Sequence, residues 1–225
     1  MFRRLLCAAL LFQAPSPAPP YLPAQYRSGA PPVVSIQAVG GGDVLLEISV
    51  SRDGDVTSVK TLRATPPYTD ALSAAARGWQ FLPAEQEIEP KAGEPPVSPR
   101  PRERVDSTVL AAGVFLPPTI NTPTLGEAPK DLARPSSPET PYPISTTRPI
   151  YPPRALMGGV VVVEVRVTPD GRVADAAVVS SAPSFDQVAL EAARQWTFRP
   201  GRVRGVAVEK LAYIVFAFRQ PLTSK

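Results

Sequence analysis

The side chains that most often carry out acid–base, nucleophilic or metal chemistry are scarce in this chain. Its 225 residues include no histidine and one cysteine, Cys7, which excludes imidazole and thiol chemistry from the body of the protein. Paired carboxylates could still do acid–base work, but those of the C-terminal half fall on different predicted elements. They are Glu164, Asp170, Asp175, Asp186 and Glu191. We therefore expect solvated charges at turns and on exposed faces, and predict neither enzymatic activity nor a metal or cofactor site.

The most regular pattern in the chain is a run of valines between Val160 and Val167. Every second residue from Val161 onward is valine, and this period of two places β-branched side chains on one face of a strand. Thr168-Pro169-Asp170-Gly171 follows, with proline where φ of about −65° is needed and glycine where φ must be positive. The chain should therefore reverse into a second strand through Val178-Val179, which predicts a β-hairpin.

An amphipathic helix is predicted after the hairpin, beginning at Phe185. Its apolar residues recur at intervals of three and four and form one stripe: Phe185, Val188, Ala189, Ala192, Ala193 and Trp196. Ser184 and Gln187 have the spacing of a capping box, in which two side chains satisfy backbone N–H groups of the first turn. Pro200 cannot continue a helix, and a long apolar run then predicts a third strand from Val206 to Phe218. The segment should fold as β-β-α-β.

These motifs, in this order, resemble the C-terminal domain of TonB. The residues that carry the resemblance are Tyr151-Pro152, Ala155, Gly159, Asp170-Gly171, Val178, Ser180-Ser181, Phe185-Asp186, Ala189, Ala192, Trp196-Thr197-Phe198 and Pro200. The resemblance implies a periplasmic protein-binding module in which a helix packs on a small antiparallel sheet and no active site is present. The best-known members are energy transducers that capture a short extended segment of outer-membrane transporters.

The N-terminal half resembles a degenerate copy of the same unit. A shift of 117 positions, without a gap, places Asp53-Gly54 on Asp170-Gly171 and Trp79 on Trp196, and such a match predicts an internal duplication. The first copy is predicted at 33–116, with its last strand from Arg104 to Phe115, and the second at 150–220. The predicted fold class is α+β. It consists of two small β-β-α-β domains, each a helix on a three-stranded antiparallel sheet, joined by a proline-rich linker.

Proline accounts for 30 residues of the chain, which indicates long extended segments. We predict a proline-rich lead at 15–32 and a semi-rigid linker at 117–149. Residues 1–14 combine basic residues with a short apolar core and predict a signal peptide or a short anchor. Because this core is too short to span a bilayer, we expect an exported, periplasmic protein, anchored in the inner membrane if the segment is uncleaved or the true start lies upstream. The net charge of +4 comes without a basic cluster interleaved with aromatic residues, so no nucleic-acid binding is predicted.

Two segments of the second copy are candidates for binding a protein partner. The last strand of a three-stranded sheet has an unpaired edge, which can accept a strand from a partner or from a second copy of the chain, giving a homodimer. The candidate residues on this strand are Val208, Lys210, Leu211, Ala212, Tyr213, Ile214 and Val215. Tyr151-Pro152 is the other candidate, with the ring beside the partner groove. Alternatively, the strand pairs only within its domain and Tyr151-Pro152 is a rigid start to the first strand.

Two functions are compatible with these features. The first is a non-enzymatic module that captures extended segments of an outer-membrane transporter or another envelope protein, in transport across the outer membrane. The alternative is a structural or scaffolding envelope adaptor, in which the two modules hold partners, or each other, without energy coupling.

Overall fold

The computed structural model describes residues 20–35, 38, 40–89, 99–118, 125–127 and 137–220. The predicted signal peptide or anchor at 1–14 and part of the predicted linker lie outside these ranges. Within the described residues, no helix has the length and apolar character needed to cross a membrane. The fold is mixed α+β and consists mostly of strands, in agreement with the predicted class.

The elements are numbered in chain order. Those of the N-terminal half are β1 (Tyr21–Leu22), β2 (Gln25–Ser28), β3 (Gly42–Val50), β4 (Val56–Arg63), α1 (Tyr68–Arg77), β5 (Gln80–Leu82), β6 (Ala84–Glu87), β7 (Arg102–Val105) and β8 (Ser107–Phe115). Those of the C-terminal half are β9 (Leu125–Glu127), β10 (Tyr142–Thr147), β11 (Gly159–Val167), β12 (Val173–Ser180), α2 (Asp186–Ala193), β13 (Thr197–Arg199), β14 (Arg202–Val203), β15 (Val206–Ala207) and β16 (Lys210–Phe218).

Three strands from each half form one continuous sheet, in the order β12-β11-β16-β8-β3-β4. Its neighbouring strands are antiparallel except for the central pair, β8 and β16, which run parallel. Each half supplies three strands of this sheet and one helix, but short strands intervene between the helix and the last long strand, β5 to β7 in the first half and β13 to β15 in the second. The structure joins the two predicted three-stranded sheets into one. The reason is that β16 is buried along its whole length and β8 along nearly all of it. Strands that are apolar on both faces need neighbours on both sides and cover above and below.

The two helices cover opposite faces of this sheet. Alternate residues of β16 belong to two different cores: Leu211, Tyr213 and Val215 lie with α1, whereas Ala212 and Ile214 lie with α2. Each core therefore contains strand residues of both halves, since the side chains of a strand alternate between its faces. The helices themselves contact mainly strands of their own half, α1 with β3, β4 and β8 and α2 with β10, β11 and β12. We call these two surfaces the α1 face and the α2 face.

Segments predicted to be extended connections take part in smaller sheets. β1 and β2, within the predicted proline-rich lead, pair with β6 and β5 respectively. β10, within the predicted linker, pairs with β13 on one side and with β9 on the other. In both places the extended backbone that proline favours is used for strand pairing. β1 lies at the edge of its sheet, whereas β10 is the central strand of its own.

Both predicted last strands are interrupted. The strand expected from Arg104 to Phe115 is divided into β7 and β8 at Asp106, whose Oδ1 accepts a hydrogen bond from the Arg52 N–H at 2.9 Å. The strand expected from Val206 to Phe218 is divided into β15 and β16, and β15 pairs with β14 in a short hairpin. Arg204 and Gly205 occupy the hairpin turn with φ of 50° and 82°, a backbone geometry typical of tight hairpins.

The predicted hairpin turn is confirmed, and the predicted capping box is not. Gly171 has a φ of 83°, as the turn requires. The cap of α2 is Phe185, and no side chain hydrogen-bonds to its first turn. Instead, the Asp186 carboxylate accepts hydrogen bonds from Ser181 Oγ at 2.6 Å and from the Ala182 N–H at 2.9 Å. A carboxylate is the stronger acceptor, and here it closes the loop before the helix.

Several features of the two halves recur at the 117-residue spacing. β3, β4 and β5 have the same lengths as β11, β12 and β13 and start 117 residues earlier. Gly54 has a φ of 93°, close to the 83° of Gly171. Trp79 Nε1 donates to the Ala30 carbonyl at 3.0 Å, and Trp196 Nε1 donates to the Thr147 carbonyl at 2.9 Å. Both tryptophans are buried in the core.

Candidate protein-binding surfaces

The strand predicted to bind a partner lies at the centre of the sheet. β16 pairs with β11 over all nine of its residues, and its other edge pairs with β8 from Ala212 to Ala217. Four candidate residues therefore lie between two strands: Ala212, Tyr213, Ile214 and Val215. Leu211 and Lys210 begin the same strand, and Val208 precedes it. The backbone edge that could accept a partner strand is paired with β8 of the same chain.

Tyr213 connects β16 to the lead segment of the N-terminal half. Its hydroxyl donates to Glu164 Oε2 at 3.0 Å and accepts a hydrogen bond from the Tyr26 N–H at 2.8 Å. The ring also contacts the rings of Trp79 and Phe81 edge-on. Burial, and then the negative charge of Glu164, raise the pKa of Tyr213 well above its usual value. Tyr213 therefore stays a neutral hydrogen-bond donor that fixes the lead on the α1 face.

Lys210 is another buried connection at the start of β16. The side chain is 1% exposed, and Nζ donates to the Tyr21 hydroxyl at 2.6 Å while lying 4.4 Å from the centre of the Tyr21 ring. A Glu139 carboxylate oxygen lies 3.8 Å from Nζ. Burial lowers the pKa of Lys210 to about 8, and the charge of Glu139 partly opposes this effect. Tyr21 of the predicted lead and Glu139 of the predicted linker therefore both contact Lys210 at the start of β16.

Glu47 is the counterpart of Glu164 in the N-terminal half, 117 positions earlier. Its Oε2 accepts hydrogen bonds from Thr140 Oγ1 at 2.7 Å and from the Ser137 N–H at 3.2 Å. The carboxylate thus holds the segment that leads into β10. Sequence analysis did not identify Glu47 as a functional residue, although its match to Glu164 was visible. The expectation that Glu164 is a solvated charge is wrong, since both glutamates are buried in the sheet.

Tyr151 is buried rather than presented to a partner. Its ring packs against the ring of Phe185, with 5.5 Å between centroids, and burial raises the pKa of its phenol. The hydroxyl lies 3.1 Å from the Ala155 carbonyl and 2.8 Å from the Met157 carbonyl. Pro152, next to it, is partly buried. Tyr151 therefore holds the loop that precedes β11 in place.

This loop borders an open groove of about 370 Å³. Leu156 and Met157 are 81% and 73% exposed, which is unusual for two adjacent large apolar side chains. The other lining residues are Arg154, Gly158, Ala182, Pro183, Ser184 and Phe185. Since Ala182 follows two residues after the end of β12, the groove, which we call the Leu156 groove, continues from that end of the sheet.

The outer strands of the six-stranded sheet are β12 and β4, and within the described residues neither pairs with another strand on its outer side. They differ in charge. β4 carries Lys60 and Arg63, whereas the one charged residue of β12 is Asp175. Lysine on an edge strand hinders the addition of another strand. β12 is therefore the less protected edge.

The described residues contain no group of three or more acidic or cysteine side chains that could hold a metal ion. Three of the carboxylates considered for acid–base chemistry each have a hydrogen-bond donor of their own. Glu164 is buried with Tyr213, Asp170 accepts a hydrogen bond from Thr168 in the turn, and Glu191 accepts one from Gln187 on α2. The hydrogen bond from Thr168, and the nearby charge of Arg172 to a smaller extent, lower the pKa of Asp170.

Comparison with known proteins covers the C-terminal part of the chain. Residues 147–219 match the family model described as the Gram-negative bacterial TonB protein C-terminal. This segment contains β11, β12, α2 and β16, together with the loop held by Tyr151. No curated protein matches the chain. Residues 147–219 are thus similar to a TonB C-terminal domain, a non-enzymatic, transport-associated kind of domain found in the bacterial periplasm and envelope.

Proposed function

We propose that this protein is an exported, non-enzymatic adaptor of the cell envelope that binds other proteins, and that its two halves stay joined through β8 and β16. The observation that carries the proposal is the parallel pairing of β8 with the second edge of β16, from Ala212 to Ala217. In this proposal the C-terminal half is a TonB-like module, and the N-terminal half is a degenerate copy that fills its strand-accepting edge.

The duplication is supported by the geometry that recurs at the 117-residue spacing. Equal strands, equal turn glycines and equal tryptophan hydrogen bonds occur in both halves, and Glu47 and Glu164 are buried at matching positions. Through its hydrogen bonds, each of these glutamates holds a segment associated with the other half. Glu164 holds the lead of the first half through Tyr213, and Glu47 holds the segment that leads into the second half. Such exchanged contacts favour two modules that have adapted to each other.

Burial at the junction supports a permanent rather than a transient pairing. Leu110, Ala111 and Ala112 of β8 are 0% exposed, as are Ala212, Tyr213 and Ile214 of β16. Separating the halves would expose many such side chains, each at a cost of about 1.5–3 kcal/mol for a large one. It would also leave two rows of backbone groups unpaired. The junction therefore has the character of a protein core.

Capture of a transporter segment by β16, in transport across the outer membrane, is the second candidate. The family match at residues 147–219 favours it. The binding residues in this case are those of the last strand and the segment before it: Tyr151, Pro152, Val208, Lys210, Leu211, Ala212, Tyr213, Ile214 and Val215. This function requires β8 to leave β16, or a partner to bind elsewhere on the module.

A disulfide across the junction distinguishes the two functions. Ala112 and Ile214 are partners in the β8–β16 register, and adjacent strands bring Cα atoms to within disulfide range, about 4.4–6.8 Å. We would combine Ala112→Cys and Ile214→Cys with Cys7→Ser, so that one disulfide can form. Each single-cysteine variant in the same background is the matched control.

The readout is energised uptake of a labelled transporter substrate in the native cell. Uptake is compared in cells that lack the chain and in cells that produce the wild-type or the oxidised double-cysteine chain. An adaptor with permanently joined halves predicts equal uptake in all three. If uptake falls without the chain and is restored by the wild-type and single-cysteine chains but not by the disulfide-linked chain, the joined-adaptor proposal is overturned in favour of capture at β16.

A further inference from the structure

We infer that the outer edge of β12 and the Leu156 groove together form the docking site for an extended segment of a partner protein, and that this segment carries an acidic residue and a large apolar residue. The inference rests on the proposed function, because it names where an adaptor whose β16 edge is filled can still bind a strand. It commits to a partner from another protein rather than to a second copy of this chain.

The edge of β12 has the properties of a strand acceptor. It pairs only with β11 in the described part of the chain. Of its three exposed residues, Ala174 and Ala177 are small, and the third is Asp175. The Asp175 carboxylate accepts a hydrogen bond from the Ala176 N–H at 2.8 Å, which an added strand would have to replace. The corresponding edge in the N-terminal half is protected, because Lys60 of β4 lies at the position that matches Ala177. A lysine at mid-strand opposes pairing with a new strand, and an alanine does not. The two outer edges of the sheet therefore differ at this position, where β4 has a lysine and β12 an alanine.

The Leu156 groove provides the apolar part of the site. Leu156 and Met157 are two of the most exposed large apolar residues described, and Pro183 also belongs to the lining. The loop that carries them is fixed by the hydrogen bond of the Tyr151 hydroxyl to its backbone. A fixed loop loses little conformational entropy on binding. A strand that continues past Ser180 at the end of β12 would place its next residues over this groove.

The charge at the groove selects an acidic residue in the partner. Arg154 lines the groove and is exposed, and no ion pair involves it among the described residues. Asp186 directly follows the lining residue Phe185 in the sequence. Its carboxylate already accepts hydrogen bonds from Ser181 Oγ and from the Ala182 N–H. A guanidinium in this position attracts a carboxylate and repels a basic residue.

The test uses a defined peptide and the full chain. The probe is a fluorescein-labelled peptide with one glutamate, one leucine and four alternating valine and threonine residues, and binding is followed by fluorescence anisotropy. Two control peptides differ by one feature each: one has lysine in place of glutamate, and the other has N-methyl groups on alternate backbone nitrogens. We expect saturable binding of the probe, and at least tenfold weaker binding of both control peptides.

Protein variants locate the binding. Arg154→Glu should weaken the glutamate peptide at least tenfold and strengthen the lysine peptide, which a merely unfolded variant would not do. Leu156→Ser should weaken the probe, whereas Val33→Ser, which changes an 87% exposed apolar residue elsewhere, should not. Ala177→Lys introduces on β12 the lysine that protects β4, and should also weaken the probe at least tenfold. The disulfide-linked Ala112→Cys/Ile214→Cys chain should bind normally.

The last result separates this inference from the proposed function. Probe binding that is lost on forming the disulfide would place the site at β16 and overturn the inference. Absence of saturable binding, or equal binding of the probe and the N-methylated peptide, would also overturn the inference. Neither result would bear on the joined-adaptor proposal, which the uptake experiment tests.

A dimer in light scattering that Leu156→Ser dissociates would assign the groove to a second copy. A peptide copying residues 5–19 that displaces the probe would assign it to this chain's own N-terminus. Either assignment overturns the inference.

Discussion

Tyr213 and Glu164 form a hydrogen bond of 3.0 Å between the phenol hydroxyl and the carboxylate, on adjacent strands inside the sheet. The same hydroxyl accepts the Tyr26 N–H, so one side chain satisfies a buried charge and a backbone donor at once. A buried carboxylate without a partner is costly. Through the Tyr26 N–H, the Tyr213–Glu164 pair therefore couples the TonB-like module to the lead of the N-terminal half.

Tyr213→Phe should lower the free energy of unfolding by about 2–3 kcal/mol, since it leaves the Glu164 carboxylate without its donor. Urea denaturation at pH 7 measures the change. Tyr68→Phe is the matched control, because Tyr68 is equally buried but donates to a neutral acceptor, the Gly40 carbonyl, at 2.8 Å. That change should cost about 1 kcal/mol. Equal losses in the two variants would contradict the role assigned to the carboxylate.

Thr140→Val should release the segment before β10 from Glu47. It removes the hydroxyl that donates to Glu47 Oε2 at 2.7 Å and keeps the shape of the side chain. We expect a loss of about 1.5–3 kcal/mol, the range for hydrogen bonds to charged groups. Hydrogen exchange should become faster in residues 137–147. Glu47→Gln in the Thr140→Val background should recover part of the loss, because the loss of one hydrogen bond costs a buried amide less than a buried carboxylate. A double variant no more stable than Thr140→Val would count against this account.

Gly54→Ala and Gly171→Ala should each destabilise the protein by more than 1 kcal/mol, because both glycines have positive φ, which a side chain disfavours. An added methyl group would also collide with the carbonyl oxygen of Phe81 or of Phe198. Gly78→Ala is the control. Gly78 has a φ of −93°, and the nearest atom to an added methyl group is 3.5 Å away. The change at Gly78 should be neutral or stabilising in thermal denaturation, and a loss as large as that at Gly171 would contradict the argument.

The local elements of this fold could be predicted from the sequence because their signals are local. The alternating valines of β11, the turn at Asp170-Gly171 and the apolar stripe of α2 each depend on residues within one or two turns of chain. The predicted capping box is not formed, although its signal is also local. Ser184 and Gln187 have the right spacing, but Asp186 offers a stronger acceptor to Ser181 and Ala182, and spacing alone does not rank competing acceptors.

The pairing of β8 with β16 could not be predicted, because it is a choice between partners far apart in the chain. The apolar residues on both faces of β16 were visible, and they are compatible with a free edge, a partner strand or an internal strand. The apolar pattern of β8 is weaker than that of β16, because Asp106 and Gly113 interrupt it in the sequence. In the structure Asp106 lies outside β8, and Gly113 pairs with Val215. An added methyl group at Gly113 would press on the side chains of Leu72 and Phe115, which explains the glycine.

The stability of the protein should depend on pH through Lys210. Burial lowers its pKa to about 8 from an ordinary 10.5, so between these values the unfolded chain binds more protons than the folded one. Stability therefore rises with pH in this window. Below pH 8 the lysine is charged in both states, and the cost of burying that charge is fully present. Above about pH 10, the raised pKa values of Tyr21 and Tyr213 act in the opposite direction.

Comparison with Lys210→Met isolates this contribution, since the loss of the hydrogen bond to Tyr21 is a constant offset and the tyrosines are shared. The free energy of unfolding of the wild type minus that of the variant should increase by about 2 kcal/mol between pH 7 and pH 9.5. Urea denaturation across this range measures it. In a Glu139→Gln background the increase should begin at a lower pH, because the Glu139 carboxylate opposes the effect of burial. A difference that stays flat from pH 7 to pH 9.5 would mean that Lys210 keeps its ordinary pKa, and that its contact with Tyr21 compensates for burial of the charge.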